Sequence, residues 1–147
     1  MKLPRGLRHA KKVVIDTNVL IYLFEDHSRY GTISEFILDE VASGAFSAVI
    51  TSITVAELLT KPLESDRTDI ADAYRNVLKN LPNVETVECG FDVGVMAAAL
   101  RAKYGVPLPD AFQAAVAMQA PRPSLITNDR RLRKISEVRS ISLNEFN

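Results

Sequence analysis

Short β-branched runs alternate with longer amphipathic runs along almost the whole chain, and no other feature constrains the fold as tightly. Val13-Val14-Ile15 has the make-up of a buried strand and is followed at once by the polar Asp16-Thr17-Asn18. Further strands are predicted at Phe46 to Thr51, Val84 to Val87, Leu125-Ile126 and Ile141 to Leu143. Helical patterns fill the gaps. Asn18 to Glu25 is short. Thr32 to Ser43 carries a stripe of Ile33, Phe36, Ile37 and Val41, and Thr32 with Glu35 fits a capping box. Ser52 is placed to cap a helix bearing Val55, Leu58 and Leu59, which Pro62 ends or closely follows. Another helix begins near Asp66 with Ile70, Tyr74, Val77 and Leu81 on one face, and a further one at Asp92 with Val93, Met96, Ala97, Leu100 and Tyr104. Pro109 suits the first position of a helix running to about Ala120, apolar almost all round and therefore central. Asp129 to Lys134 is a short basic helix.

Strands separated by helices cannot pair as hairpins, so the sheet is mainly parallel with helices on both faces. The predicted fold class is α/β, a three-layer sandwich around about five strands. Right-handed crossovers then bring the carboxyl ends of the strands to one edge, where ligands bind.

At 147 residues, 47% hydrophobic and 24% charged, residues 1–147 are expected to form one soluble globular domain. The longest uncharged run, Val41 to Ala56, is too short and too polar to span a bilayer, and the basic start is not followed by a signal-peptide core. Cys89 is the only cysteine, which fits a reducing cytoplasm and, with His9 and His27 as the only histidines, argues against zinc. Net charge is zero, but Lys2, Arg5, Arg8, Lys11 and Lys12 crowd residues 1–12, and Arg130, Arg131, Arg133, Lys134 and Arg139 crowd the tail. Such local patches can contact phosphates or be solvated surface.

Polar residues follow two of the strands directly: Asp16-Thr17-Asn18 after the first and Thr127-Asn128-Asp129 after the fourth. Both groups belong at the ligand-binding edge. Asp110 stands in the first turn of the central helix, where the dipole favours a carboxylate, and Glu57 on the helix after the second strand. Each also suits a structural role. Asp16, Thr17, Asn18, Asn128 and Asp129 could cap helices, Asp110 could stabilise its helix start, and Glu57 lies opposite an apolar stripe.

Val14-Ile15-Asp16-Thr17-Asn18-Val19-Leu20, the Glu57 helix, Leu108-Pro109-Asp110-Ala111 and Leu125-Ile126-Thr127-Asn128-Asp129 together resemble the PIN-domain ribonucleases, most closely the VapC-type toxins of toxin–antitoxin pairs. The resemblance covers residues 12 to 143 and leaves residues 1–11 as a basic N-terminal segment. It implies an acidic quartet of Asp16, Glu57, Asp110 and Asp129 binding Mg²⁺ or Mn²⁺. Thr17, Asn18, Thr127 and Asn128 would support the quartet. It also implies an RNA substrate, a cognate antitoxin directing a basic side chain at the acids, and a homodimer. The antitoxin's apolar seat would be Val19 to Phe24 and Ile33 to Val41. Arg130-Arg131-Leu132 stands where many relatives carry an aromatic residue, and Arg130 and Arg131 are candidates for RNA contact.

The implied chemistry is in-line hydrolysis by metal-activated water, leaving 5′-phosphate and 3′-hydroxyl ends. Mg²⁺ takes oxygen ligands, and a bound ion lowers the pKa of water and stabilises charge developing on phosphate. Other readings fit less well. A haloacid-dehalogenase-like phosphatase needs an aspartate where Asn18 stands, and a phospho-receiver domain usually has an acidic pair where Lys11 and Lys12 stand. A catalytically silent PIN binding module would lack one of the acids, and none is missing. A stand-alone RNA-processing nuclease would keep the activity without an antitoxin.

Overall fold

The computed structural model describes residues 1–147. Five parallel strands, β1 (Lys12–Ile15), β2 (Ser47–Thr51), β3 (Val84–Val87), β4 (Ser124–Ile126) and β5 (Arg139–Ile141), form one sheet in the order β3-β2-β1-β4-β5. Val14 sits opposite Val49 on β2 and Leu125 on β4, so β1 is central. Strand order reverses direction at β1. The crevice between β1 and β4 is therefore the switch point at which such sheets bind ligands.

Alternation along the strands sorts the apolar side chains into two cores. Val13, Ile15, Ala48 and Ile50 face one core, closed by α1 (Thr17–Phe24), α2 (Gly31–Ala42), α3 (Ser52–Glu64) and α4 (Thr68–Lys79) through residues such as Leu20, Ile37, Leu58 and Leu78. Val14, Val49 and Leu125 face the other, closed by α5 (Phe91–Tyr104) and α6 (Leu108–Met118) through Val93, Ala97, Leu100 and the alanines of α6. The predicted three layers and mainly parallel sheet are observed.

Several local expectations shift. The Thr32–Glu35 capping box does not form, because α2 begins at Gly31 and the preceding N–H groups of Arg29 and Tyr30 are accepted by His27 Nδ1. Thr51, not Ser52, caps α3, its hydroxyl accepting from the Thr54 N–H at 3.3 Å. Pro62 does not stop that helix; it lies buried inside it, two residues before the end at Glu64. α6 begins at Leu108, one residue before Pro109, which still falls in the turn whose N–H groups have no helical partner. Residues 129–134 give only a 3-10 turn at Leu132–Lys134, since Asp129 is held by side-chain bonds that end the extended segment. The last strand lies at Arg139–Ile141, two residues early, and Ser142 with Glu145 forms the capping box of a further 3-10 turn.

Candidate metal centre at the carboxyl edge

Asp16 directly follows β1, its N–H donating to the carbonyl of Ile126 across the β1–β4 crevice at 3.0 Å. It occupies the N-cap position of α1 but makes no side-chain cap bond. Its buried carboxylate turns instead to Thr127, whose Oγ1 donates to Oδ2 at 2.6 Å. The capping alternative therefore does not describe this aspartate. Thr127 Oγ1 also accepts the Asp129 N–H at 2.9 Å, so one buried hydroxyl spaces two acids.

Asp110 projects from the first turn of α6, with its Oδ2 buried and without a hydrogen-bond partner. The nearest cation is Arg131, whose Nε lies 3.6 Å from that oxygen. The same guanidinium grips Asp129, with Nη2 at 2.8 Å from Oδ2 and Nε at 3.2 Å from Oδ1. Arg131 therefore lies between two of the predicted acids. Arg130, its neighbour, is exposed and makes no ion pair.

Glu57 is exposed at the residue level, yet its Oε1 accepts from Thr17 Oγ1 at 3.0 Å. Thr17 has one proton, so the hydroxyl of Thr54 at 2.8 Å must donate to it, as Gln113 Nε2 does at 3.2 Å. A relay of Thr54 and Gln113 through Thr17 thus holds Glu57 toward the aspartates. Sequence reasoning missed Thr54 and Gln113. Both stand three residues before or after an acid on the same helix, the spacing that shares a helix face. Asn18 is half-buried beside the cluster, whereas Asn128 turns to the chain end, its Oδ1 accepting from Ser142 Oγ and the Leu143 N–H, each at 3.0 Å.

Electrostatics tie these groups into one site. Burial pushes the Asp16 carboxyl up to about 6, the Thr127 hydrogen bond working against it and the charges of Asp110 and Asp129 adding to the rise. Burial, with Asp129 and Glu57 nearby, also raises Asp110, against the pull of Arg131. Arg131 holds Asp129 below the ordinary carboxylate range. Crowded, desolvated carboxylates of this kind favour a bound cation or a proton.

The donor set fits a hard divalent ion: oxygen only, partly buried, and with one buried carboxylate oxygen unpartnered. As the side chains stand, no three acids are grouped closely enough to share an ion. The Arg131 guanidinium, on a side chain that is 57% exposed, stands beside both Asp110 and Asp129.

The PIN-domain family model matches residues 13–138, and the chain belongs to that family, whose members are nucleases. Among solved structures it is similar to VapBC2 from Rickettsia felis bound to a promoter DNA fragment, with a TM-score of 0.72 at 18% identity over 89% of this chain and 98% of that one. DNA-bound VapBC from Salmonella typhimurium gives 0.71 at 20% identity over 90% and 98%. A toxin–antitoxin complex from Klebsiella pneumoniae gives 0.67 at 24% identity over 89% and 97%. No curated protein sequence is a match. The fold is thus the one these toxin–antitoxin chains share.

Proposed function

We propose that residues 1–147 form one metal-dependent endoribonuclease domain, the toxin of a type II toxin–antitoxin pair working in the cytoplasm. The observation that carries the reading is the convergence of Asp16, Asp110 and Asp129, from three separate elements, on the β1–β4 crevice. Asp16, Asp110 and Asp129 would hold Mg²⁺ or Mn²⁺, with Glu57 as the fourth acid. A divalent ion held there would activate the attacking water and neutralise charge on the phosphate. The protein's own contribution is positional. Thr127 fixes Asp16 and Asp129, and the Thr17 relay orients Glu57. Arg130, exposed beside the acids, would contact the RNA backbone, and Arg131 would join it on leaving Asp129.

The proposed antitoxin tail would lie across the half-buried Ile21, Tyr22 and Phe24 of α1 and Ile33 and Phe36 of α2. An arginine from that tail would replace Arg131 at the carboxylates, because its planar fork pairs bidentately with them. The similarity to chains solved as toxin–antitoxin complexes supports such a partner. A homodimer is supported by Phe91, 86% exposed, and Val95, 59% exposed, one turn apart on α5. No helix is long and apolar enough to cross a membrane. Expression of the chain alone should arrest growth, and Asp16→Asn or the cognate antitoxin should abolish the arrest. Harmless expression of metal-active protein would instead indicate a stand-alone processing nuclease.

A further inference from the structure

The opposite, amino edge of the sheet carries the reverse charge. Residues 5–12 are anchored there by Leu7 and Ala10, both buried. Residues 8–12 line a cleft of about 910 Å³ together with the turn at Ala120–Arg122. A second cleft of about 420 Å³ adjoins it, sharing His9, Ala10 and Arg122. Arg8, Lys11 and Arg122 line the first, and Arg5 and Arg139 extend the row into the second.

Of the lysines and arginines lining the two clefts, Lys12 pairs with Glu85, while Arg5, Arg8, Lys11, Arg122 and Arg139 are in no ion pair. The first cleft is lined by no acid, and the one acid of the second, Glu137, is already bound by Lys103 and Tyr104. Arg139 lies directly over Gly6, where an added Cβ would come within 2.9 Å of its guanidinium. In a chain of zero net charge this concentration is local, and like charges gathered without partners are relieved by an anion. Both clefts are open and few of their lining residues are hydrophobic, unlike the enclosed apolar pockets that take small ligands. Arg8, Lys11 and Arg122 along the first cleft, with Arg5 and Arg139 continuing into the second, make a row that suits an extended polyanion.

We propose that the amino edge is a second RNA-binding site that grips the phosphodiester backbone of a single strand without reading its bases. The inference rests on the ribonuclease reading above. RNA long enough to pass around the domain, on the order of 30 Å, would be held at both edges, anchored at one and cut at the other.

The test is fluorescence anisotropy with an end-labelled single-stranded 15-mer RNA, in EDTA so that nothing is cut, at several salt concentrations. Parent and the triple variant Arg8→Ala, Lys11→Ala, Arg122→Ala are compared. All three residues are exposed, so the fold should survive. The variant should bind about 10-fold or more weakly, with a salt slope shallower by about 2, for three contacts at about 0.7 each. Arg8→Lys with Arg122→Lys, which keeps the charge, should stay close to the parent. Hydrolysis of a tetranucleotide, about 14 Å long when stacked and too short to reach both edges, should be equal in parent and triple variant. Unchanged RNA affinity and slope would overturn the proposal, as would a loss confined to duplex DNA or to polyglutamate. Weakened binding by the variant alongside no cleavage by the parent would remove the nuclease reading and leave this site standing. Unchanged binding with active cleavage would do the reverse.

Discussion

Thr127 serves Asp16 and Asp129 with one hydroxyl, donating to Asp16 at 2.6 Å and accepting the Asp129 N–H at 2.9 Å. Thr127→Val keeps the shape and removes both bonds. Metal affinity should fall by about 10–100-fold, the usual cost of losing a residue that orients a metal ligand. Stability should fall by about 1–3 kcal/mol, because buried polar partners lose their bonds. Thr127→Ser should restore most of both. Calorimetric metal titration and urea unfolding read the two effects. An unchanged titration in Thr127→Val would remove the threonine from the site.

Asp16 gives a pH signature. Its carboxyl stands at about 6 in the folded chain against 3.8 ordinarily, so the folded state holds the proton more tightly between those values. Metal-free stability should therefore fall as pH rises from about 4 to 6 and level off above. Asp16→Asn removes the effect. At pH 7.5 without metal it should be more stable than the parent by on the order of 2–3 kcal/mol, a gain that fades below pH 4. Mg²⁺ should raise the melting temperature of the parent and not of the variant. Equal stabilities at both ends of the pH range would contradict this account.

Arg131 stands beside two proposed metal ligands, so it competes with an ion. Arg131→Ala should tighten Mn²⁺ binding about two- to fivefold, the scale of one exposed ion pair. Arg130→Ala should leave metal binding alone and make the salt slope of RNA binding shallower by about 0.7. Weaker Mn²⁺ binding by Arg131→Ala would mean that the arginine organises Asp129 for the ion.

Much of this was legible in the chain. The β-branched runs identify the sheet, and the polar residues directly after them meet at one edge of it, because strand ends in a parallel α/β fold share one side. Asp16 and Asp129 were placed by that logic alone. Glu57 was ambiguous, since helical spacing put it opposite an apolar stripe. Only the path from Thr54 and Gln113 through Thr17 shows why it turns inward. The sequence makes Arg131 a candidate for RNA contact but does not show that its guanidinium also reaches back to Asp129, two residues earlier. Helix ends shifted where a side chain from outside the local pattern, such as His27 before α2, took the free N–H groups. The basic segment of residues 5–12 was visible as composition. Its pairing with Arg122 across a cleft needed the fold.

Glu57 is the acid whose role rests most on that relay. Glu57→Gln keeps the Thr17 hydrogen bond and removes the charge, so the fold should be unaffected while metal affinity falls by about 10–100-fold. A Mn²⁺ titration indistinguishable from the parent's would return Glu57 to an ordinary surface position.

The most direct measurement is cleavage of total RNA by the purified protein, first in EDTA and then with Mg²⁺ or Mn²⁺, with both ends of each product mapped. The account predicts no cutting in EDTA. With metal it predicts cutting that leaves 5′-phosphate and 3′-hydroxyl ends, absent in Asp16→Asn and Asp110→Asn. Equal cutting in EDTA, cyclic-phosphate ends, or full activity in Asp110→Asn would contradict a metal centre built from these carboxylates.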